Sequence, residues 1–229
     1  LSGSSAASDV YKRQGKIAYL GDENLNAELK INASDLIVLP GGIDPHVHVD
    51  QPSGDDVIMA DNFQSATKSA AAGGNTTILP FAMQIKGQSL RKCVEDYHKK
   101  ALGNMYIDTS FHLIISDPTP QVLGQELPAL SKDGYTSFKV FMTYDDLVLN
   151  DKELIEVFDV AKQLKTLVMV HAEGYDSIKY LSDKFEKEGK TAPYYHAPTR
   201  PQIVEREATH RAISHAQIVD IPLMIVHVS

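Results

Sequence analysis

The 229-residue chain holds one cysteine, Cys93, so no disulfide can form within it. That excludes the disulfide-stapled secreted classes, and a reducing compartment, the cytoplasm, is expected. Cys93 itself falls in a helical pattern and reads as a small core residue. No apolar run approaches the ~20 residues that a membrane-spanning helix needs. Positive charge is not in excess either. Twenty-two Lys and Arg stand against 30 Asp and Glu, for a formal net charge of −8, which argues against nucleic acid or an anionic membrane as partner. No G-x-G-x-x-G follows a strand-like run, so the usual dinucleotide fingerprint is missing. The first residues lack the basic start and apolar stretch of a secretory signal. What remains, 43% hydrophobic and 23% charged residues, is the composition of an ordinary soluble globular protein.

Residues 1–7 are rich in Ser, Gly and Ala and have no period. Asp9-Val10-Tyr11-Lys12-Arg13-Gln14 resembles the in-frame translation of a sequencing adapter. Residues 1–14 are therefore set aside as a non-native or disordered tail. Residues 15–39 contain two strand-like pieces, Lys16–Leu20 and Ala27–Ile31, separated by the turn-rich Gly21-Asp22-Glu23-Asn24. They read as the remnant of a small β subdomain.

From residue 40 onward, short apolar runs alternate with longer helical patterns. Strands are expected at Ile43–Val49, Thr76–Ala82, Thr109–Ser116, Ser137–Thr143, Leu167–Ala172 and Leu223–Val228. Helices are expected near Asn62–Ala72, Ser89–Leu102, Thr119–Ser131, Asp151–Lys165, Tyr175–Glu188 and Gln202–Val219. Gly73-Gly74 can end the first helix, whose Ala66, Ala70 and Ala71 offer a small packing face. Thr199-Arg200-Pro201-Gln202 has the makings of a capping box for the last. Runs as uniformly apolar as Leu167-Val168-Met169-Val170 suit a parallel sheet buried on both faces. Alternating strand and helix means βα units, of which there are six, whereas a closed barrel needs eight and ~250 residues. The expected architecture is α/β, a TIM-type (βα)₈ barrel cut off after its sixth strand. The rival is an open doubly wound sheet.

His46 and His48 end the first of these runs. Residues i and i+2 of a strand face the same way, so the two imidazoles can share a cation. His171 and His227 end two later runs. The carboxyl ends of parallel barrel strands converge on one mouth, so four of the nine histidines would meet there. His98, His210 and His215 lie in helical patterns and His196 in a loop, while His112, inside a strand, is expected to be packed or hydrogen-bonded rather than a ligand. Lys139 stands in the apolar run Ser137–Thr143. A buried lysine loses proton affinity, and a neutral amine can take up carbon dioxide as a carbamate. The alternative is a stem along the barrel wall with its head in water.

Gly41-Gly42-Ile43-Asp44-Pro45-His46-Val47-His48, Gly73-Gly74-Asn75-Thr76-Thr77, Phe138-Lys139-Val140-Phe141-Met142 and Val170-His171-Ala172-Glu173 together resemble the cyclic amidohydrolases, in the dihydropyrimidinase and hydantoinase branch. The resemblance runs from about Gly15 to Ser229. It implies that His46 and His48 bind one zinc, that His171 and His227 bind a second, and that carbamylated Lys139 bridges them. Tyr144 matches the family tyrosine that hydrogen-bonds the substrate carbonyl and its oxyanion. The implied reaction is ring-opening hydrolysis of a cyclic amide or imide, such as dihydrouracil or a hydantoin, to an N-carbamoyl amino acid. The implied partners are that small substrate and further copies of the chain, a homo-tetramer at full length.

Three departures sharpen this picture. Dihydroorotases carry an arginine two residues after the histidine pair, and this chain has Asp50, which disfavours a ring carboxylate. Collapsin response mediator proteins share the fold but lack the metal histidines, all four of which are present here. The family's last ligand, an aspartate after strand eight that also acts as general base, has no counterpart within these residues. The 229-residue chain alone is therefore expected to be inactive. An allantoinase-like enzyme and a non-catalytic scaffold on the same barrel are the competing readings.

Overall fold

The computed structural model describes residues 9–13, 16–21, 25–54 and 57–229. They fall into two compact units, the described residues up to Pro40 and those from Gly41 to Ser229. In the first, β1 (Asp9–Arg13) pairs antiparallel with β2 (Lys16–Gly21). Strand β1 lies inside the stretch expected to be a tail, where its backbone ladder with β2 orders residues 9–13. The turn-rich Asp22-Glu23-Asn24 lies outside the described residues. Ala27–Ile31, expected as a strand, is irregular and exposed, with Leu29 and Ile31 open to solvent. A short period-two pattern fixes a strand only where one face is buried.

The second unit alternates strand and helix except where β5 and β6 follow one another. In chain order come β3 (Gly42–Val47), α1 (Phe63–Ala72), β4 (Asn75–Met83), α2 (Leu90–Ala101), β5 (Asp108–Thr109) and β6 (His112–Ile114). A π turn at Val122–Glu126 then leads into α3 (Leu127–Lys132). They are followed by β7 (Ser137–Phe141), α4 (Asp151–Leu164), β8 (Leu167–His171), α5 (Tyr175–Lys187), a 3₁₀ segment (Pro193–Thr199), α6 (Gln202–Val219) and β9 (Leu223–Ile225). The strands run parallel in the order β3-β4-β6-β7-β8-β9, and β5 also pairs with β4. Spatial order equals chain order. A doubly wound sheet reverses at a switch point, so that rival is excluded. Between β3 and β9 lie five strand spacings, roughly 24 Å in a flat sheet. The rings of His46 on β3 and His227 after β9 are nevertheless 5.6 Å apart. The sheet therefore curls into a parallel half-barrel that brings its strand ends together.

Strand alternation divides the core into two layers. Ile78, Leu113, Phe138, Val140, Val168 and Val170 face outward and are buried against α1, α2 and α4. Phe81, Ile114, Phe141 and Met169 face the concave side and form a second cluster with Val226. Lys139, between Phe138 and Val140, necessarily shares the concave face.

Local chemistry sets the helix ends. Asn62 with Ser65, and Asn150 with Glu153, form reciprocal capping boxes on α1 and α4. Gly74, at φ +89°, takes the left-handed turn after α1. Ala66 and Ala70 pack on the core as expected, but Ala71 is exposed. The Thr199 capping box does not form. The Thr199 hydroxyl donates to the His196 carbonyl at 2.7 Å, closing the 3₁₀ segment, and Pro201 caps α6. The expected strand Thr109–Ser116 is split, because Ser110 and Phe111 interrupt the ladder between β5 and β6. Among the described residues no helix is long and apolar enough to cross a membrane.

Candidate metal centre

His46 and His48 sit at the carboxyl end of β3 with ring centroids 5.5 Å apart. The Asp44 carboxylate fixes the turn by accepting the His46 backbone N–H at 3.1 Å. Both rings lean on Phe81 of β4. His46 meets it edge-on at 4.8 Å, and His48 lies nearly parallel to it at 4.9 Å. Burial, then the Lys139 charge, holds His46 down at about 4. Burial also lowers His48, against an opposing hydrogen bond that its ring donates to Gln51.

His171 is the last residue of β8, and His227 stands two residues beyond β9 in a left-handed conformation at φ +38°. His171 Nδ1 lies 3.1 Å from His227 Nε2. A tetrahedral ion bound at ~2.0–2.1 Å by two nitrogens sets them roughly 3.3 Å apart, so this pair is close to a ligand edge. The other nitrogen of His171, Nε2, lies 2.6 Å from a Glu173 carboxylate oxygen. A carboxylate only accepts, so Nε2 carries the proton and Nδ1 is left bare. Glu173 is held in turn by Arg200, at 3.6 Å. Burial lowers His171, against the opposing Glu173 bond.

Lys139 stands among the histidines. It is fully buried, and its Nζ has no hydrogen-bond partner. The amine rests over the rings of Phe81 and Phe141, at 5.3 and 5.1 Å. Burial brings it down to about 8. The reading with its head in water is thus overturned, because the curl of the sheet closes the concave face over it. An amine so desolvated and unpartnered is suited to conversion into a carboxylate-like anion. Among the described residues no three His, Cys, Asp or Glu side chains make a ligand shell by themselves. The histidines come as two pairs, and Lys139 is the group that can complete both.

Tyr144 lies on the loop after β7 at φ +73°, an uncommon conformation for a bulky residue. Its ring is 5.2 Å from His171 and 6.0 Å from Phe141. Burial, then the Glu173 charge, raises its phenol, so it remains a donor at neutral pH. Asp50 is engaged elsewhere. Lys100 of α2 donates to its carbonyl at 2.6 Å and pairs with its carboxylate at 3.2 Å. His112 is buried and hydrogen-bonded, as expected. Glu173 and Arg200 are the residues that sequence reasoning missed as parts of the site. Glu173 had a signal, since it follows His171 by two, the strand period. Arg200 had none.

Residues 37–219 match the sequence model of the amidohydrolase family. The chain belongs to that family. It is 46% identical to a D-hydantoinase of Geobacillus stearothermophilus, over 97% of this chain and 49% of the relative. It is 37% identical to a dihydropyrimidinase of Rattus norvegicus, over 98% of this chain and 44% of the relative. A solved structure of D-hydantoinase superposes with a TM-score of 0.92 at 45% identity, covering 96% of this chain and 48% of that one. The chain spans about half the length of the curated relatives it matches. Its amidohydrolase fold accounts for the geometry above, because a curled parallel sheet puts the strand ends, and the histidines on them, at one mouth.

Proposed function

We propose that the whole protein is a cyclic amidohydrolase that opens dihydropyrimidine and hydantoin rings to N-carbamoyl amino acids. The observation that carries this reading is the buried, unpartnered Nζ of Lys139 between two histidine pairs. His46 and His48 would hold one zinc ion and His171 and His227 a second, with Lys139 shared as its carbamate. Carbamate formation balances simply: the neutral amine bonds the carbon of carbon dioxide and one proton leaves to solvent. Bound zinc supplies Lewis acidity and lowers the pKa of water towards ~7.

The chain's own residues prepare the remainder. His46, His48 and His171 are held neutral by burial, the form in which imidazole offers a lone pair. Glu173 fixes which nitrogen of His171 is bare. Tyr144, protonated at neutral pH, is a donor for the charge that develops on a ring carbonyl oxygen. Asp50, committed to Lys100, offers no cation to a ring carboxylate, which favours uncharged rings. A homo-tetramer in the cytoplasm completes the proposal, the latter on the strength of the lone, buried Cys93.

The test is metal analysis and turnover of the whole protein purified with zinc. Two zinc ions per chain and opening of dihydrouracil or a 5-substituted hydantoin are expected. Fewer than one zinc per chain would favour a non-catalytic scaffold. Opening of allantoin alone would overturn the substrate class.

A further inference from the structure

Gln51 lies just beyond the histidine pair and is tied down at both ends of its side chain. Its amide Nε2 donates to the backbone carbonyl of Phe81 at 3.0 Å. Its Oε1 lies 2.7 Å from His48 Nδ1. The backbone is held as well: its N–H points to Met59 Sδ at 3.1 Å, and its carbonyl accepts from the Ser53 hydroxyl at 3.1 Å.

These bonds admit only one arrangement of protons. The Phe81 carbonyl can only accept, so the NH₂ end of the Gln51 amide must face it. The opposite end, facing His48, is therefore the amide oxygen, which also only accepts. His48 Nδ1 must then carry a proton, and in the neutral ring Nε2 carries none. Phe81 meanwhile stacks on the same imidazole at 4.9 Å with 17° between planes, which limits the turning of the ring. One residue of β4 thus restrains the ring with its own ring and, through Gln51, sets its proton with its carbonyl.

We propose that Gln51 is a positioning residue that locks His48 in the Nδ1–H tautomer, leaving Nε2 as its only lone pair available to a cation. The consequence for metal affinity rests on the two-zinc reading above, whereas the tautomer itself does not. Partners of this kind around a metal-binding histidine alter affinity by about 10–100-fold.

The test uses the protein labelled with ¹⁵N at histidine, without added metal, with the His48 ring assigned by its loss in His48→Asn. Ring nitrogen shifts read the tautomer, and titration with Zn²⁺ alone reads affinity. Wild type should carry the proton on Nδ1. Gln51→Leu should release it to a mixture with Nε2–H and weaken Zn²⁺ binding about 10–100-fold. Gln51→Glu, which keeps an acceptor for Nδ1–H but gives up the bond to the Phe81 carbonyl, should restore the tautomer and part of the affinity. Wild-type His48 protonated at Nε2, or an unchanged tautomer in folded Gln51→Leu, would overturn the proposal. An Nδ1–H tautomer lost in Gln51→Leu, in a protein that binds no zinc, supports the Gln51 assignment and removes the metal reading instead.

Discussion

His112 Nε2 lies 2.8 Å from the backbone carbonyl oxygen of Pro45, which belongs to a strand two places away in the sheet. The bond runs from β6 to β3 past the ring of Phe81 on the intervening β4, 4.9 Å from His112. The other nitrogen, Nδ1, meets the Ser137 hydroxyl of β7 at 2.5 Å. A single imidazole thus ties three strands across the concave face, and the carbonyl it holds immediately precedes His46. Because the carbonyl can only accept, Nε2 is the protonated nitrogen.

Removing this tie should be felt in stability and at the proposed metal centre together. His112→Ala leaves the Pro45 carbonyl and the Ser137 hydroxyl unsatisfied, at about 1–3 kcal/mol. His112→Gln, with a donor that can reach Pro45, should recover part of the stability and most of the Zn²⁺ affinity. His112→Asn, too short to reach it, should not. Urea unfolding and zinc titration of the three variants check this. Equal zinc affinity across the three would show that the tie does not position His46.

Lys139 separates stability from function. Its buried amine has no hydrogen-bond partner, and such a group destabilises the fold that contains it. Lys139→Met keeps the apolar stem and removes the amine. It should leave the metal-free protein as stable or more stable, by about 1–3 kcal/mol. In the whole protein it should also reduce zinc from the proposed two per chain to one or none. Metal analysis beside a thermal melt decides it, and a variant that retains both zinc ions would exclude the carbamate bridge.

How much of this was legible in the sequence depended on range. The ligand candidates could be read because strand alternation is a local rule. It put His46 with His48 on one face and marked Lys139 as a charge inside an apolar run, but left open whether its head met water. The half-barrel was legible for the same reason, six apolar runs separated by helical patterns. The groups that hold these candidates in place were not. His112 to Pro45, Gln51 to Phe81 and Arg200 to Glu173 join residues 67, 30 and 27 positions apart, and no periodicity encodes such pairs. Local patterns also failed where a competing bond existed. Thr199 had the spacing of a cap, but its hydroxyl found the His196 carbonyl instead.

Tyr144 should matter to turnover rather than to the fold. Its ring borders His171, and its phenol keeps its proton because burial and Glu173 raise it. Tyr144→Phe preserves the ring contacts and deletes the donor. Loss of one such donor to a developing oxyanion lowers kcat by about 10²–10³-fold. Steady-state kinetics of the whole protein on a hydantoin should therefore show that fall in kcat, with stability within about 0.5 kcal/mol of wild type. An unchanged kcat would remove Tyr144 from the reaction.

The α2 core sets a limit on the alkaline side. Cys93 is 2% exposed, and its thiol is pushed up to about 12, chiefly by burial and then by the Asp96 charge. In the unfolded chain the same thiol ionises near 9.0. Between these values the unfolded state has released the proton and the folded state has kept it. Stability from this group is therefore complete below pH 9 and is lost as pH rises towards 12, by about 1.4 kcal/mol per pH unit. Buried Tyr97, raised in the same direction, adds to the fall at higher pH. Cys93→Ala lowers stability at every pH by opening a cavity, but it removes the thiol's share of the slope. Urea unfolding from pH 8 to 10.5 should show the variant losing stability more slowly than wild type, by about one proton's worth. Parallel curves would mean that the thiol is not held protonated by the fold.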